Sequence, residues 1–233
     1  MMNYQKPKTP TTLRVIPINT YQAARNVVSL TLKIFCRIET LNYGGMPEKG
    51  PMILCCNHQS ILDPLILAAA IPRQLTFLAA GYLFDIPLLG FILRQSGVIP
   101  VQGVSLSLRA IRQAVESLDN GGTVVIFPQG GVRTAGTGFQ VQPGAAFLSL
   151  KAQAPLQPAF IAGSEKILPI GNYLPRRRGK VYVNFGKPLS PPAKRNSQNF
   201  RETLNESLIN SWEKLRREMD MLLDCEDSDV RRR

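Results

Sequence analysis

The chain has a single histidine, His58, in the polar stretch Asn57-His58-Gln59-Ser60-Ile61-Leu62-Asp63-Pro64. An apolar run, Met52-Ile53-Leu54-Cys55-Cys56, comes directly before it. A short run of that kind reads as a buried strand, and the loop after such a strand is where α/β folds place their sites. Imidazole is suited to taking and returning a proton near neutral pH. Asp63, five residues on, can fold back through the turn, fix the ring's tautomer and stabilise the imidazolium. A plainer reading is open too. Asp63 before Pro64 makes an N-cap with a first-turn proline, and Ser60 with Asp63 makes a capping box.

A second polar cluster, Phe127-Pro128-Gln129-Gly130-Gly131-Val132-Arg133-Thr134, follows another apolar run. Its glycines let backbone N–H groups approach an anion, and Arg133 can bind phosphate. It is not a P-loop, because no Gly-Lys-Ser/Thr follows at the required spacing.

These clusters need elements to position them. Pro51–Cys56, Leu75–Ala80, Gly97–Val101, Thr123–Phe127, Leu156–Ile161 and Lys180–Phe185 read as strands, the last of them alternating. Leu65–Ile71 and Gly144–Ala152 read as helices, and a further helix is capped by Ser105 with Leu108, Ile111, Val115 and Leu118 on one face. From Tyr21 to Leu41, Val27, Leu30, Ile34, Ile38 and Leu41 recur at helical spacing with Arg25, Lys33 and Arg37 among them. That pattern suits a basic amphipathic helix in a membrane interface, or a surface helix packed on the core. The last helix carries Phe200, Leu204, Leu208, Trp212, Leu215, Met219 and Leu222 on one stripe, with core packing as the default. Leu75–Leu93 is nearly all apolar, but Gly81, Asp85, Pro87 and Gly90 interrupt it. A strand and a short helix fit better than a membrane span, although Leu83-Phe84 and Leu88–Leu93 can still dip into a membrane. Strands alternating with helices indicate an α/β fold. The expected organisation is a flexible arm over 1–20, one domain over 21–192 with a mixed central sheet covered by helices and an N-terminal amphipathic helix, a C-terminal helix over 193–224 packed on it, and a disordered tail over 225–233.

Composition narrows the partners. The chain has 233 residues, 44% of them hydrophobic, which argues against wholesale disorder. Its net charge of +12 suits anionic lipid, an acidic carrier protein, a phosphorylated substrate or nucleic acid. Aromatics are not interleaved with the cations as a single-strand stacking surface needs, so no nucleic-acid partner is expected. The run Arg176-Arg177-Arg178-Gly179-Lys180 suits either a solvated loop or a contact with lipid or carrier protein. Cys36, Cys55, Cys56 and Cys225 form no CxxC pair, and with one histidine there is little to build a zinc site from. Cys55 and Cys56 read as small apolar residues of a buried strand, and a reducing compartment fits them best. The N-terminus, polar and containing Pro7, Pro10 and Pro17, shows no signal-peptide pattern.

Taken together, the two clusters resemble the blocks of the glycerolipid acyltransferase family that includes 1-acyl-glycerol-3-phosphate acyltransferases. Asn57, His58 and Asp63, with Ser60 between, match its Asn-His-x-x-x-x-Asp block. Phe127, Pro128 and Gly130 match part of Phe-Pro-Glu-Gly-Thr-Arg. Gly97-Val98-Ile99-Pro100-Val101 looks like the second block, and Leu156–Ile161 like the fourth. The resemblance runs from about Leu30 to Pro192. It implies an O-acyltransferase without a cofactor, in which acyl-CoA or acyl carrier protein is the donor and a lysolipid, with lysophosphatidate as default, is the acceptor. His58 is then the general base and Asp63 its orienting partner, with Asn57, Gln129, Gly130, Gly131 and Arg133 as substrate-binding residues. Such an enzyme works at the cytoplasmic face of a membrane carrying anionic lipid, held peripherally or monotopically. The chain departs from the pattern in three places. Gln129 replaces the glutamate, Val132 holds the arginine's place with Arg133 one position later, and Gly103 stands where the second block's arginine is expected. These departures keep open a different lysolipid, a phosphate-free alcohol, or a lipid-binding relative without activity.

Overall fold

The computed structural model describes residues 17–101, 106–129, 142–172, 174–175, 178–192 and 198–231. Its strands are β1 (Cys36–Leu41), β2 (Met52–Cys56), β3 (Leu75–Ala80), β4 (Ile99–Val101), β5 (Thr123–Ile126), β6 (Leu156–Ala162) and β7 (Gly179–Phe185). Its helices are α1 (Ile18–Phe35), α2 (Asp63–Ala70), α3 (Pro87–Gln95), α4 (Leu108–Asp119), α5 (Gly144–Ala152), α6 (Ser164–Ile167) and α7 (Gln198–Arg231). The strands form one sheet in the order β1-β7-β6-β2-β5-β3-β4. All neighbouring pairs are parallel except β6–β7.

Both faces of this sheet are covered at its centre, so its central strands are mostly apolar rather than alternating, with Thr123 and Gln157 as buried polar exceptions. On one face Met52, Leu54, Cys56, Val125, Ile161 and Val183 form a core with residues of α1, α2 and α6. On the other Ile53, Cys55, Val124, Leu156 and Phe160 pack against α4, α5 and α7. The α7 stripe is core, as its spacing predicts: Leu204, Leu208, Trp212, Leu215 and Met219 are buried, while Phe200 stays exposed. Trp212 is fully buried, and its indole N–H donates to the Cys55 carbonyl at 3.3 Å. Trp212→Ala should therefore cost about 3–5 kcal/mol and lower the melting temperature by about 10 °C, as differential scanning calorimetry would read.

Several expectations change. Tyr21–Leu41 is not one helix, since α1 ends at Phe35 and Cys36–Leu41 become β1. Those six residues pair in register with the outer edge of β7, from Cys36↔Gly179 to Leu41↔Asn184. An exposed strand edge leaves backbone groups unpaired, and satisfying them outweighs continuing a marginal helix. Ser107 caps α4 by accepting the Ala110 N–H, and Leu108 is exposed; Ser105, the expected cap, lies outside the described residues. The buried face of α4 is instead Ala110, Gln113, Ala114, Ser117 and Leu118. β7 is buried on both faces over its last five residues, so it does not alternate. The backbone of α7 stays helical to Arg231, past the expected end at 224. After β3, a 3-10 turn (Gly81–Asp85) precedes α3, and no helix among the described residues is long and apolar enough to cross a membrane.

Some cations serve the fold. Arg25 of α1 donates to the Ala68, Ala69 and Ile71 carbonyls at the end of α2, where a positive charge also suits the helix dipole. Arg73 donates to the carbonyls of Pro47, Gly50 and Gly121. Arg94 places both terminal nitrogens 2.8 Å from the Phe84 carbonyl. Gly90 makes that last packing possible, because a Cβ there would lie 2.1 Å from the Phe84 oxygen.

Candidate active site

β5 and β6 flank β2 and both run parallel to it, so the carboxyl ends of the three share one edge of the sheet. His58 leaves that edge after β2, and Phe127 and Gln129 leave it after β5. The chain beyond β2 is held on both sides by amide side chains. Toward β6, Asn57 donates to the Ile161 carbonyl at 2.9 Å and accepts the Ile161 N–H at 2.7 Å. Its carboxamide thus imitates one more pair of the ladder, and the residue is buried. Toward β5, the Gln129 side-chain Oε1 accepts the His58 backbone N–H at 2.9 Å.

The loop then turns around one carboxylate oxygen. Asp63 Oδ2 lies 2.9 Å from His58 Nδ1 and accepts the N–H groups of Gln59 and Ser60 at 2.7 and 2.8 Å. Two backbone donors fix this oxygen's acceptor role, so Nδ1 carries a hydrogen toward it and Nε2 is the ring nitrogen left to act as base. Asp63 does not cap α2, which starts at Asp63 with Pro64 in its first turn and no side-chain cap. The capping box is half made: the carboxylate takes the Ser60 N–H, but the Ser60 hydroxyl donates to the Leu168 carbonyl at 2.8 Å. The Asp63 side chain is 0% exposed, whereas that of His58 is 15% exposed. A fully buried carboxylate behind a partly open imidazole is the arrangement a base needs to hold the proton it collects.

Phe127 stacks on the imidazole, with ring centroids 4.2 Å apart and planes 22° off parallel. Sequence reasoning places Phe127 in a motif without a role; the only signal is a flat aromatic ring at the first position after β5. Of the expected site residues, the structure brings His58, Asp63, Asn57 and Gln129 together. Asn57 spends both ends of its amide on the backbone of β6, so its observed contacts are scaffold contacts. Gly130, Gly131, Arg133 and Gly103 lie outside the described residues. The flanks of that second loop do meet, through the Gln142 N–H and the Pro128 carbonyl at 2.8 Å. Cys55 and Cys56 are buried, and burial pushes both thiols up, leaving them poor nucleophiles. Among the described residues no three His, Cys, Asp or Glu side chains converge on a metal-sized site.

The Thermotoga maritima 1-acyl-sn-glycerophosphate acyltransferase PlsC superposes with a TM-score of 0.68 over 88% of this chain and 84% of its own, at 22% identity, a likeness of fold. A 1-acyl-sn-glycerol-3-phosphate acyltransferase of Helicobacter pylori is 30% identical over 64% of this chain and 65% of its own. The chloroplast enzyme of that name from Arabidopsis thaliana is 26% identical over 69% of this chain and 46% of its own. The matched stretch thus spans about half to two thirds of these relatives. The sequence model of the Acyltransferase family matches residues 37–162, more than half of the chain and every strand from β1 to β6, and the protein belongs to that family.

Proposed function

We propose that the protein transfers a fatty acyl group from a thioester, acyl-CoA or acyl carrier protein, to a glycerolipid hydroxyl, most simply that of 1-acyl-glycerol-3-phosphate in phospholipid synthesis. The observation that carries this reading is the His58–Asp63 pair, 2.9 Å apart, with the carboxylate buried and the imidazole partly open. Nε2 of His58 takes the acceptor's hydroxyl proton as its oxygen attacks the thioester carbonyl. The tetrahedral intermediate collapses with loss of the thiolate, which recovers the proton from the imidazolium. Asp63 holds the ring through Nδ1 and takes no part in the proton transfer itself. No acyl-enzyme and no cofactor are needed.

The experiment is acyl transfer by the purified protein with acyl-CoA and acyl carrier protein donors supplied separately. Lysophosphatidate, other lysolipids and neutral alcohols make up the acceptor panel. Product with lysophosphatidate supports the full reading, and preference for another acceptor would retain the chemistry while changing the substrate. Gln129 in place of the family glutamate, and Gly103 at an arginine's place, are the reasons for testing that breadth. No product from any pair would overturn the reading.

The protein works, on this proposal, at the cytoplasmic face of a membrane, held peripherally or monotopically. Two exposed apolar surfaces support this. On α1, Val27, Leu30 and Ile34 point outward at helical spacing. Beside β3, Tyr82, Ile86, Leu88, Phe91 and Ile92 are exposed within eleven residues, Leu88 by 73% and Phe91 by 61%. The 3-10 turn and α3 follow the carboxyl end of β3, a strand parallel to its neighbour β5, so this second surface lies at the same edge as His58. Net positive charge adds attraction to anionic headgroups. The double variant Leu88→Asp/Phe91→Asp should lower partitioning to vesicles containing anionic lipid by about tenfold or more, measured by co-sedimentation, with thermal stability little changed.

A further inference from the structure

We infer that Gln129 is a positioning residue of the reaction, acting through the backbone of His58, and not a residue that touches the acceptor. This inference rests on the proposed function and deepens it. His58 is the second residue past β2, where the ladder to β5 has ended at the Cys55↔Ile126 pair. Its N–H would have no strand partner there, and the Gln129 side-chain Oε1 supplies one at 2.9 Å. Gln129 is buried like Asn57, which performs the corresponding task toward β6. The two amides clamp the base of the His58 loop from opposite sides. Asp63 and Phe127 then fix the ring by its Nδ1 edge and by its face. With those restraints in place, Nε2 is the part of the side chain left to meet substrate. Losing the Gln129 restraint lets the loop base shift, and a misplacement of about 1 Å is enough to cost on the order of 10²-fold in rate.

What the clamp requires of position 129 is a side-chain oxygen at that reach, and no charge. Glutamine and glutamate both meet the requirement, whereas methionine, of similar length, has no oxygen to accept the N–H. Two roles that the motif alone merges can therefore be told apart. A residue contacting a phosphorylated acceptor would set the acceptor's KM and would respond to a charge change. A residue holding His58 sets kcat and responds to loss of the acceptor atom.

The test compares Gln129→Met and Gln129→Glu with the wild type, recording kcat and the KM of donor and acceptor separately. Q129M is expected to lower kcat by about 10–100-fold with both KM values within about threefold. Q129E should keep about tenfold more of the kcat than Q129M, because its carboxylate accepts the same N–H. A tenfold rise in acceptor KM with kcat unchanged, in either variant, would overturn the inference, and so would wild-type kinetics in Q129M. Amide hydrogen exchange at His58 reads the clamp without turnover. Protection in the wild type and Q129E that falls at least tenfold in Q129M supports it, and equal protection in all three defeats it. If Q129M does not fold, the decision passes to Q129E, whose acceptor KM and His58 protection must both match the wild type. A wild type inert with every donor and acceptor would sink the proposed function alone, because the exchange result would still stand.

Discussion

His58→Ala is expected to lower kcat for acyl transfer by about 10²–10⁴-fold, the usual contribution of general base catalysis, while the protein stays folded. Both halves of that expectation follow from the environment of the ring. The side chain stacks on Phe127 and bonds Asp63, so its removal costs a stacking contact of about 1 kcal/mol and a hydrogen bond to a charged group of about 1.5–3 kcal/mol. The backbone anchors of the loop do not depend on the imidazole. Gln129 holds the amide of residue 58, and Asp63 still accepts the N–H groups of Gln59 and Ser60. A circular-dichroism melt that stays cooperative and falls by about 5–15 °C, together with loss of product formation, is the predicted pair of results. Retained turnover would remove His58 from the mechanism.

The second large effect is at Asp63, and here two substitutions separate two roles. Asn at position 63 can keep an oxygen where Oδ2 stands, because the Gln59 and Ser60 N–H groups demand an acceptor there. The loop survives, the Nδ1 tautomer survives, and only the negative charge behind the imidazolium is lost. A hydrogen bond to a charged group contributes about 1.5–3 kcal/mol, so Asp63→Asn should lower kcat by roughly 10–100-fold with modest loss of stability. Asp63→Ala removes the acceptor itself. It leaves two backbone donors of a part-buried loop unpaired, at about 1–3 kcal/mol each, and frees the ring to rotate. Its kcat should fall toward that of His58→Ala and its melting temperature should drop clearly. Equal effects from Asn and Ala would mean that charge, and not loop geometry, is what Asp63 supplies.

The pairing of His58 with Asp63 is legible in the sequence because both residues lie in one loop five residues apart, where the chain's own turn brings them together. Strands β2, β3, β5 and β6 are legible for a similarly local reason. A strand buried on both faces is mostly apolar along its length, and runs such as Met52–Cys56 and Val124–Ile126 have few other uses. The α7 stripe is readable because five buried residues recur at helical spacing around Trp212.

The remaining features are decided between segments distant in the chain. Cys36–Leu41 continues a helical pattern as well as it makes a strand, and the open edge of β7, about 140 residues away, settles the choice by supplying hydrogen bonds that no local pattern encodes. Arg25, Arg73 and Arg94 carry the same charge in sequence as any anion-binding arginine. Their carbonyl partners at the end of α2, in the loops around β2 and at Phe84 make them internal struts instead. Gln129 shows the difference most clearly. By itself it is a polar residue in a Gly-rich motif, with acceptor binding its natural reading. Only the parallel adjacency of β2 and β5 puts its side-chain Oε1 2.9 Å from the His58 amide, 71 positions away in the chain. Sequence alone determined which groups are available for proton transfer, because that is a property of side-chain type and local spacing. Tertiary structure decided which polar groups hold the others in place, because a hydrogen bond between strands depends on their order in the sheet.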